Sequence, residues 1–342
     1  MGLPREKRRG FTVALDAMGG DHAPAEVVVG AVQAARQPGV EVLLVGDQPA
    51  LEAELARHSI KGLPITLVPS EGVIQETDHP LQAMRKRPRA SVLEAVRLVK
   101  AGRAQAMVTM GSTGAAMVSA TLVLGLLEGL ERPALGGPLL GQLSPVVLVD
   151  LGSNVDCRPS QLLGFAAIGV AFARSIQGVA SPRVALLTVG AEEGKGNRQV
   201  REAYTLFKGS GLNFVGNVEG LDLFLNKADV VVCDGFVGNV LMKFTEGLGM
   251  ALAGRLSELI GKHLPPSALK DLAGKLAALT NAAEIEGGGP LLGVEGIAVV
   301  GHGRARAASV AAAIRMARRA VETRLVETMR KELAALRLPV KG

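Results

Sequence analysis

Phe11-Thr12-Val13-Ala14-Leu15-Asp16-Ala17-Met18-Gly19-Gly20-Asp21-His22-Ala23-Pro24 is the stretch that decides the fold. Its first half is an apolar run closed by an acid. Its second half packs two glycines, a second acid and a histidine ahead of a proline, a residue favoured in the first turn of a helix. An apolar run without polar alternation is buried on both faces, as in a parallel sheet covered by helices. The pattern of strand, glycine-rich turn and helix then recurs along the chain. Further strand segments read at 41–45, 65–68, 106–110, 146–151, 184–189, 213–215, 230–233 and 297–300, most of them β-branched and ending in Gly, Asp or Asn. The segments between them have the length and pattern of crossover helices. The fold class is α/β.

Composition narrows the function. The 342 residues are 48% hydrophobic and 20% charged, which is the balance of a globular chain. With no Trp, one Tyr and eight Phe, the core rests on Ala, Val, Leu and Ile. Base-stacking platforms for single-stranded nucleic acid are not expected. Two cysteines, Cys157 and Cys233, cannot build a disulfide framework or a four-cysteine zinc site. The basic N-terminus has no apolar run behind it, so a cytoplasmic protein is expected. Residues 104–127 carry no charge and are long enough to span a bilayer. Their middle, Met110-Gly111-Ser112-Thr113-Gly114, is a polar turn, so a strand, a loop and a buried helix are expected instead. The net charge of +6 favours an acidic partner or surface.

In open parallel sheets ligands bind beyond the carboxyl ends of the strands, and the unusual residues of this chain fall there. Gly111-Ser112-Thr113-Gly114 suits a phosphate on a helix N-terminus, or is an ordinary helix cap. Asp21 reads as a cap or a ligand residue, and His22 as a structural or a polarising one. Lys195, between Gly194 and Gly196, reads as a phosphate-pairing ammonium or as part of a solvated loop. Asn239, near the start of a helix after Asp234, reads as an oxyanion donor or as a cap. Cys157 and Cys233 read as small apolar residues. There is no Walker loop, serine elbow or His-Glu-x-x-His. Arg85, Lys86, Arg87 and Arg89 form the densest basic cluster, a solvated face or a landing site for an acidic protein. From 239 to 283 the pattern is helical, with a break at His263-Leu264-Pro265-Pro266-Ser267. That predicts a helical hairpin, packed on the core or projecting towards a partner. The stretch 304–336 reads as one long helix or two.

Taken together these blocks resemble the PlsX family of bacterial phosphate acyltransferases. The resemblance is carried by 13–24, 111–115, Asp150-Leu151-Gly152-Ser153-Asn154-Val155-Asp156, 193–197, 214–219, Asp234-Gly235-Phe236-Val237-Gly238-Asn239-Val240 and Gly301-His302-Gly303, in order, over about 11–318. It implies a three-layer α/β/α sandwich like that of the isocitrate and isopropylmalate dehydrogenases, as one catalytic domain over 1–342. A projecting hairpin at about 245–283 would serve as a dimerisation or membrane-facing arm. It implies transfer of a long-chain acyl group from acyl carrier protein to inorganic phosphate, giving acyl phosphate for phospholipid synthesis, with neither cofactor nor metal.

In this reading Lys195 and Asn239 are catalytic. Asp16, Gly19, Gly20, Asp21, His22, Gly111, Ser112, Thr113, Gly114, Asn154, Asn197, Asp234, Gly238 and His302 bind substrate. Arg85, Lys86, Arg87 and Arg89 dock the acidic carrier protein. Leu259, Ile260 and Leu264, beside Lys262, rest weakly on the inner membrane face, and the chain is a homodimer. A downstream glycerol-3-phosphate acyltransferase is a further expected partner. The rival readings are a phosphotransacetylase acting on a short acyl-CoA, a nicotinamide-dependent dehydrogenase, and a basic nucleic-acid or membrane-surface binder.

Overall fold

The computed structural model describes residues 10–139, 144–261, 263–280 and 286–337. Among them the strands are β1 (Phe11–Asp16), β2 (Val40–Gly46), β3 (Ile65–Pro69), β4 (Ala106–Thr109), β5 (Ala134–Pro138), β6 (Val147–Val149), β7 (Val184–Leu187), β8 (Phe214–Val218), β9 (Val230–Val232), β10 (Gly289–Leu292) and β11 (Ile297–Val300). The helices are α1 (Ala25–Ala35), α2 (Gln48–Leu55), α3 (Pro80–Lys86), α4 (Ser91–Lys100), α5 (Thr113–Val123), α6 (Pro159–Phe172), α7 (Arg198–Gly209), α8 (Gly235–Ile260), α9 (Pro266–Thr280), α10 (Ala307–Glu322) and α11 (Leu325–Ala335).

The sequence reading has one domain over 1–342; the chain packs as two compact units. The first holds 1–124 and 296–318, the second 125–295 and 319–342. The chain passes between the units at 124/125, 295/296 and 318/319, the last of these inside α10.

The sheet of the first unit runs β3-β2-β1-β4-β11, all parallel. Its central strands are dry on both faces: Val13, Ala14, Leu15, Val42, Leu44, Ala106, Met107 and Val108 are fully buried. That is why they read as unbroken apolar runs. Residues 104–127 form β4, a turn and α5, as expected.

In the second unit β6, β9, β7 and β8 are parallel neighbours; β5 is added antiparallel beside β6, and β10 antiparallel beside β5. These two strands, Ala-Leu-Gly-Gly-Pro and Gly-Pro-Leu-Leu, escape the sequence reading because glycine and proline are poor strand formers. Gly136 sits in β5 because a Cβ there would lie 2.8 Å from both Leu292 and Val149 side chains. Helix α6 is buried along almost its whole length. The apolar stretch Pro159–Gln177 is long enough to cross a membrane, but 78% of it is buried inside the protein, so it is a core helix.

The helical region after β9 is a hairpin, α8 and α9. Its arms touch where Gly249 meets Thr280, with no room for a Cβ. Leu241 and Met242 of α8 pack on the core. Farther along, Phe244, Leu248, Met250, Leu252 and Leu259 are exposed, so the outer half projects and does not cover the sheet. The stretch 304–336 is two helices, divided at Arg324, whose φ is +55°.

Candidate functional site

In each unit a buried aspartate organises the turns at the carboxyl ends of the strands. In the first unit it is Asp16, at the end of β1, only 2% exposed. The Thr109 hydroxyl donates to it at 2.7 Å and the Met18 N–H at 3.2 Å, and the Ser91 hydroxyl and Gly19 N–H add further bonds. Thr109 in turn accepts from the Gly111 N–H at 2.9 Å, so the carboxylate shapes the β4 turn as well. Burial pushes the Asp16 carboxyl up from its ordinary range, against the pull of these donors. The β1 turn is fastened to the β11 turn by the Asp21 N–H donating to the Gly303 carbonyl at 2.7 Å. Gly20, at φ +106°, lies on the Met110 and Gly303 carbonyls. Gly19 is close enough to Gly111 that a Cβ would stand 2.7 Å from its nitrogen. The adjacent strands β1, β4 and β11 thus bring three glycine turns together.

The second unit repeats the device with Asp150, which follows β6 and has no exposed surface. One carboxylate oxygen accepts from the N–H groups of Leu135, Gly152 and Ser153 and from the Ser153 hydroxyl; the other accepts from the Asn154 N–H and its side-chain amide. Burial again raises the carboxyl from its usual value. Helix α8 docks its first turn on this loop. The Gly235 N–H donates to the Asn154 carbonyl at 2.7 Å, and a Cβ at Gly238 would stand 1.8 Å from the Asp150 carbonyl oxygen. Only glycine permits that approach.

The caps separate paired readings of the sequence. Asp234 caps α8 through the Val237 N–H, so Asn239 is not the cap. Asn239 stands one turn inside the helix, exposed, beside Gly152, and its amide has no hydrogen bond among the described residues. Asp21 does not cap α1, whose N-cap is Pro24; its carboxylate lies over Gly303. Ser112 does cap α5, and Asn197 caps α7. Both thereby keep one oxygen occupied, with the N–H groups of their helix starts close by.

Lys195 sits on the loop after β7, a neighbour of β9. Its ammonium is exposed and pairs with no acid among the described residues. Its stem lies on Gly190, where a Cβ would meet it at 2.9 Å.

Some residues assigned to substrate sit too deep to meet one. Asp16 and Asn154, each 2% exposed, spend their polar atoms on the turns, Asn154 donating to the Pro133 carbonyl at 2.8 Å. They are supports. His22 and His302 are half-buried in the first unit's turns. Cys157 is held by burial, and then by the charges of Asp150 and Asp234, at a pKa of about 12, and Cys233 is pushed up likewise. Neither is a thiolate at neutral pH, which fits their apolar reading.

The basic cluster is smaller than its sequence. Arg87 bonds Asp78 at 2.5 Å and Arg89, itself exposed, bonds Glu71 at 2.5 Å, leaving Arg85 and Lys86 as the exposed cations of the cluster without an ion pair among the described residues. Leu259 is exposed, Ile260 and Leu264 are half-buried, and Lys262 lies outside the described residues. The residues sequence reasoning did not single out are Ser91, Thr109 and Gly303 in the first unit and Asp150, Ser153 and Asn217 in the second. Asp150, Ser153, Asn217 and Gly303 fall within the quoted blocks, but only contacts across strands reveal what they hold.

The chain matches the family described as fatty acid synthesis protein over residues 11–328. It is 45% identical to a phosphate acyltransferase of Pelotomaculum thermopropionicum over 338 residues, 96% of each chain. It is 44% identical to a phosphate acyltransferase of Desulforamulus reducens, covering 94% of this chain and 97% of that one. Among solved structures, a phosphotransacetylase from Streptococcus pyogenes superposes with a TM-score of 0.61 at 16% identity, covering 92% and 95% of the two chains. A 4-hydroxythreonine-4-phosphate dehydrogenase from Klebsiella pneumoniae does so at 0.54 and 15%, covering 90% and 98%. The latter two are likenesses of fold. With the sequence blocks placed at the strand ends and a family match from end to end of the fold, the chain belongs to the fatty acid synthesis protein family, the PlsX phosphate acyltransferases.

Proposed function

We propose that this acyltransferase moves a long-chain acyl group from the thioester of acyl carrier protein to inorganic phosphate, giving acyl phosphate for phospholipid synthesis. One observation carries the reading. The ammonium of Lys195 and the amide of Asn239, neither with a hydrogen-bond or ion-pair partner among the described residues, stand beyond the ends of adjacent strands in a glycine-lined setting.

Phosphate is already an anion at neutral pH, so it needs holding more than deprotonation. Lys195 holds it. A phosphate oxygen attacks the thioester carbon and the carbonyl electrons move to oxygen, where Asn239 or nearby N–H groups donate to the oxyanion. The oxyanion then collapses, the carbon–sulfur bond breaks, and the carrier thiolate leaves and takes up a proton. Gly19, Gly20, Asp21, His22, Gly111, Ser112, Thr113, Gly114, Asn197, Asp234, Gly238 and His302 belong to the substrate-binding turns.

Arg85 and Lys86 present the field for the acidic carrier protein. Phe236, Val240, Phe244, Leu248 and Leu252 recur every four residues along α8 and are all exposed. That ridge suits interdigitation with the same ridge of a second copy. The hairpin tip, with Leu259 exposed, gives weak contact with an anionic inner membrane face, and the downstream glycerol-3-phosphate acyltransferase takes the product.

The decisive experiment omits phosphate. Palmitoyl-acyl carrier protein is incubated with and without phosphate, and thiol release and acyl phosphate are followed by mass spectrometry. Phosphate-dependent formation of acyl phosphate is expected. Turnover of acetyl-CoA with no turnover of the carrier protein would replace the proposal with a short-chain phosphotransacetylase.

A further inference from the structure

The Lys195 loop is held at one point by a side chain that belongs to another strand. Asn217 lies on β8, opposite Leu186 of β7. Its side-chain amide donates to the Glu192 carbonyl at 2.8 Å. The same carbonyl accepts the Lys195 N–H at 3.0 Å, closing the turn that presents the lysine. One carbonyl therefore joins Asn217 to the backbone of Lys195.

The position is costly. Asn217 is only 7% exposed, and its Oδ1 has no hydrogen-bond partner among the described residues; neither has the buried hydroxyl oxygen of Thr188, the residue after β7. Packing alone would favour an apolar side chain there, as at the neighbouring buried Val218. The donor end of the amide is the end in use, and what it fixes is the turn of Lys195. The rest of the loop is tightly seated too. Gly196, at φ +101°, leaves no room for a Cβ above Thr188, and the Arg201 guanidinium donates to its carbonyl at 2.7 Å.

We propose that Asn217 is a positioning residue for the attack of phosphate on the acyl thioester, acting through the turn of Lys195 and touching no substrate itself. The inference rests on the reading of Lys195 given above. Removing the amide donor frees the turn, and displacing a reacting group by about 1 Å costs on the order of 100-fold in rate.

The test is a double-mutant cycle in the full chain. Asn217→Asp keeps the shape and removes the donor; Asn217→Ser, too short to reach Glu192, serves where the added charge disturbs folding. Each is made alone and with Lys195→Ala, and initial rates are measured against phosphate concentration. Thermal melting is followed alongside. Each single variant is expected to melt as a folded protein and to lose roughly 10- to 100-fold in kcat/KM for phosphate, with little change in KM for the acyl donor. In the Lys195→Ala background the same substitutions are expected to cost almost nothing more. A folded Asn217 variant with wild-type phosphate kinetics overturns the inference. So does an undiminished loss in the Lys195→Ala background, which would mark Asn217 as merely structural while leaving Lys195 in place. A Lys195→Ala protein with wild-type kinetics removes the inference together with the reading it rests on.

Discussion

The two units solve the same local problem with different completeness. Each ends a central strand in a buried aspartate that gathers the following turn around itself. Asp16 reaches across to side chains of other elements, Thr109 and Ser91, and takes few backbone donors. Asp150 is wrapped by its own turn: two of its six donors belong to Ser153 and two to Asn154. The first arrangement ties several turns loosely to one carboxylate. The second makes one loop rigid and lets a long helix dock on it through Gly235 and Gly238. Asn239 stands on that docked helix, and Lys195 on the loop after β7 of the same unit, neither with a hydrogen-bond partner for its side chain among the described residues.

Removing each carboxylate in turn should separate the two units most strongly. Asp150→Ala removes the acceptor of six donors, of which the Leu135 N–H keeps the Ser153 hydroxyl and the Asn154 amide keeps the Pro133 carbonyl, and is expected to cost at least about 3 kcal/mol in urea unfolding, since each stranded buried group costs about 1–3 kcal/mol. Asp16→Ala should cost less, about 1–3 kcal/mol. Equal midpoints would mean that the two organisers are equivalent.

Chemistry is expected to divide in the same way. Lys195→Ala and Asn239→Ala should keep the fold and lower kcat, Asn239→Ala by about 10²–10³-fold if it is the oxyanion donor. Ser112→Ala in the first unit should cost about 1 kcal/mol of stability as a lost cap and raise KM more than it lowers kcat. If kcat collapses for Ser112→Ala and not for Lys195→Ala, catalysis is centred on the first unit.

Glycine substitutions give a finer contrast. Gly238→Ala would place its methyl 1.8 Å from a backbone oxygen, whereas Gly111→Ala meets its nearest neighbour at 3.1 Å. The first should cost roughly 1–3 kcal/mol or more and the second clearly less, both read by thermal melting.

The pH dependence has a fixed sign. Burial raises both carboxyls above the ordinary aspartate value, so in the window above that value the folded state holds more protons than the unfolded chain. Their contribution is fully present below the unfolded pKa and is lost as pH rises through the folded one. Asp16→Asn and Asp150→Asn should therefore lose more stability relative to wild type at pH 4 than at pH 7. A constant difference in unfolding free energy across that range would show that neither carboxyl is raised.

The smallest effect concerns docking. Arg85→Glu with Lys86→Glu should weaken carrier-protein binding a few-fold, less so at high salt. If Arg198→Glu on α7 of the second unit does as much, the carrier protein does not choose the first unit.

Much of this molecule was legible beforehand. Nine of the strands announced themselves as apolar runs, because a parallel strand is buried on both sides and tolerates little else. Two stayed hidden, β5 and β10; at Gly136 of β5 the glycine answers crowding by the Leu292 and Val149 side chains, which no local pattern reports. Lys195 and Asn239 were visible as unusual residues at strand ends. That Asn239 is not a helix cap, that Arg87 and Arg89 are already paired, and that Asp16 and Asn154 are spent inside the turns were not visible. Each depends on hydrogen-bond geometry in space, from Asp234 five residues before Asn239 to Thr109, which is 93 residues from Asp16.

The sequence by itself determined the α/β class, the turns that carry the chemistry and the family, because burial and glycine requirements are written in local residue patterns. Only the tertiary structure decided the division into two units, which polar groups are consumed and which remain free. Hydrogen-bond partnership is a matter of distance in space: one carbonyl, that of Glu192, binds both Lys195, three residues on, and Asn217, twenty-five residues away.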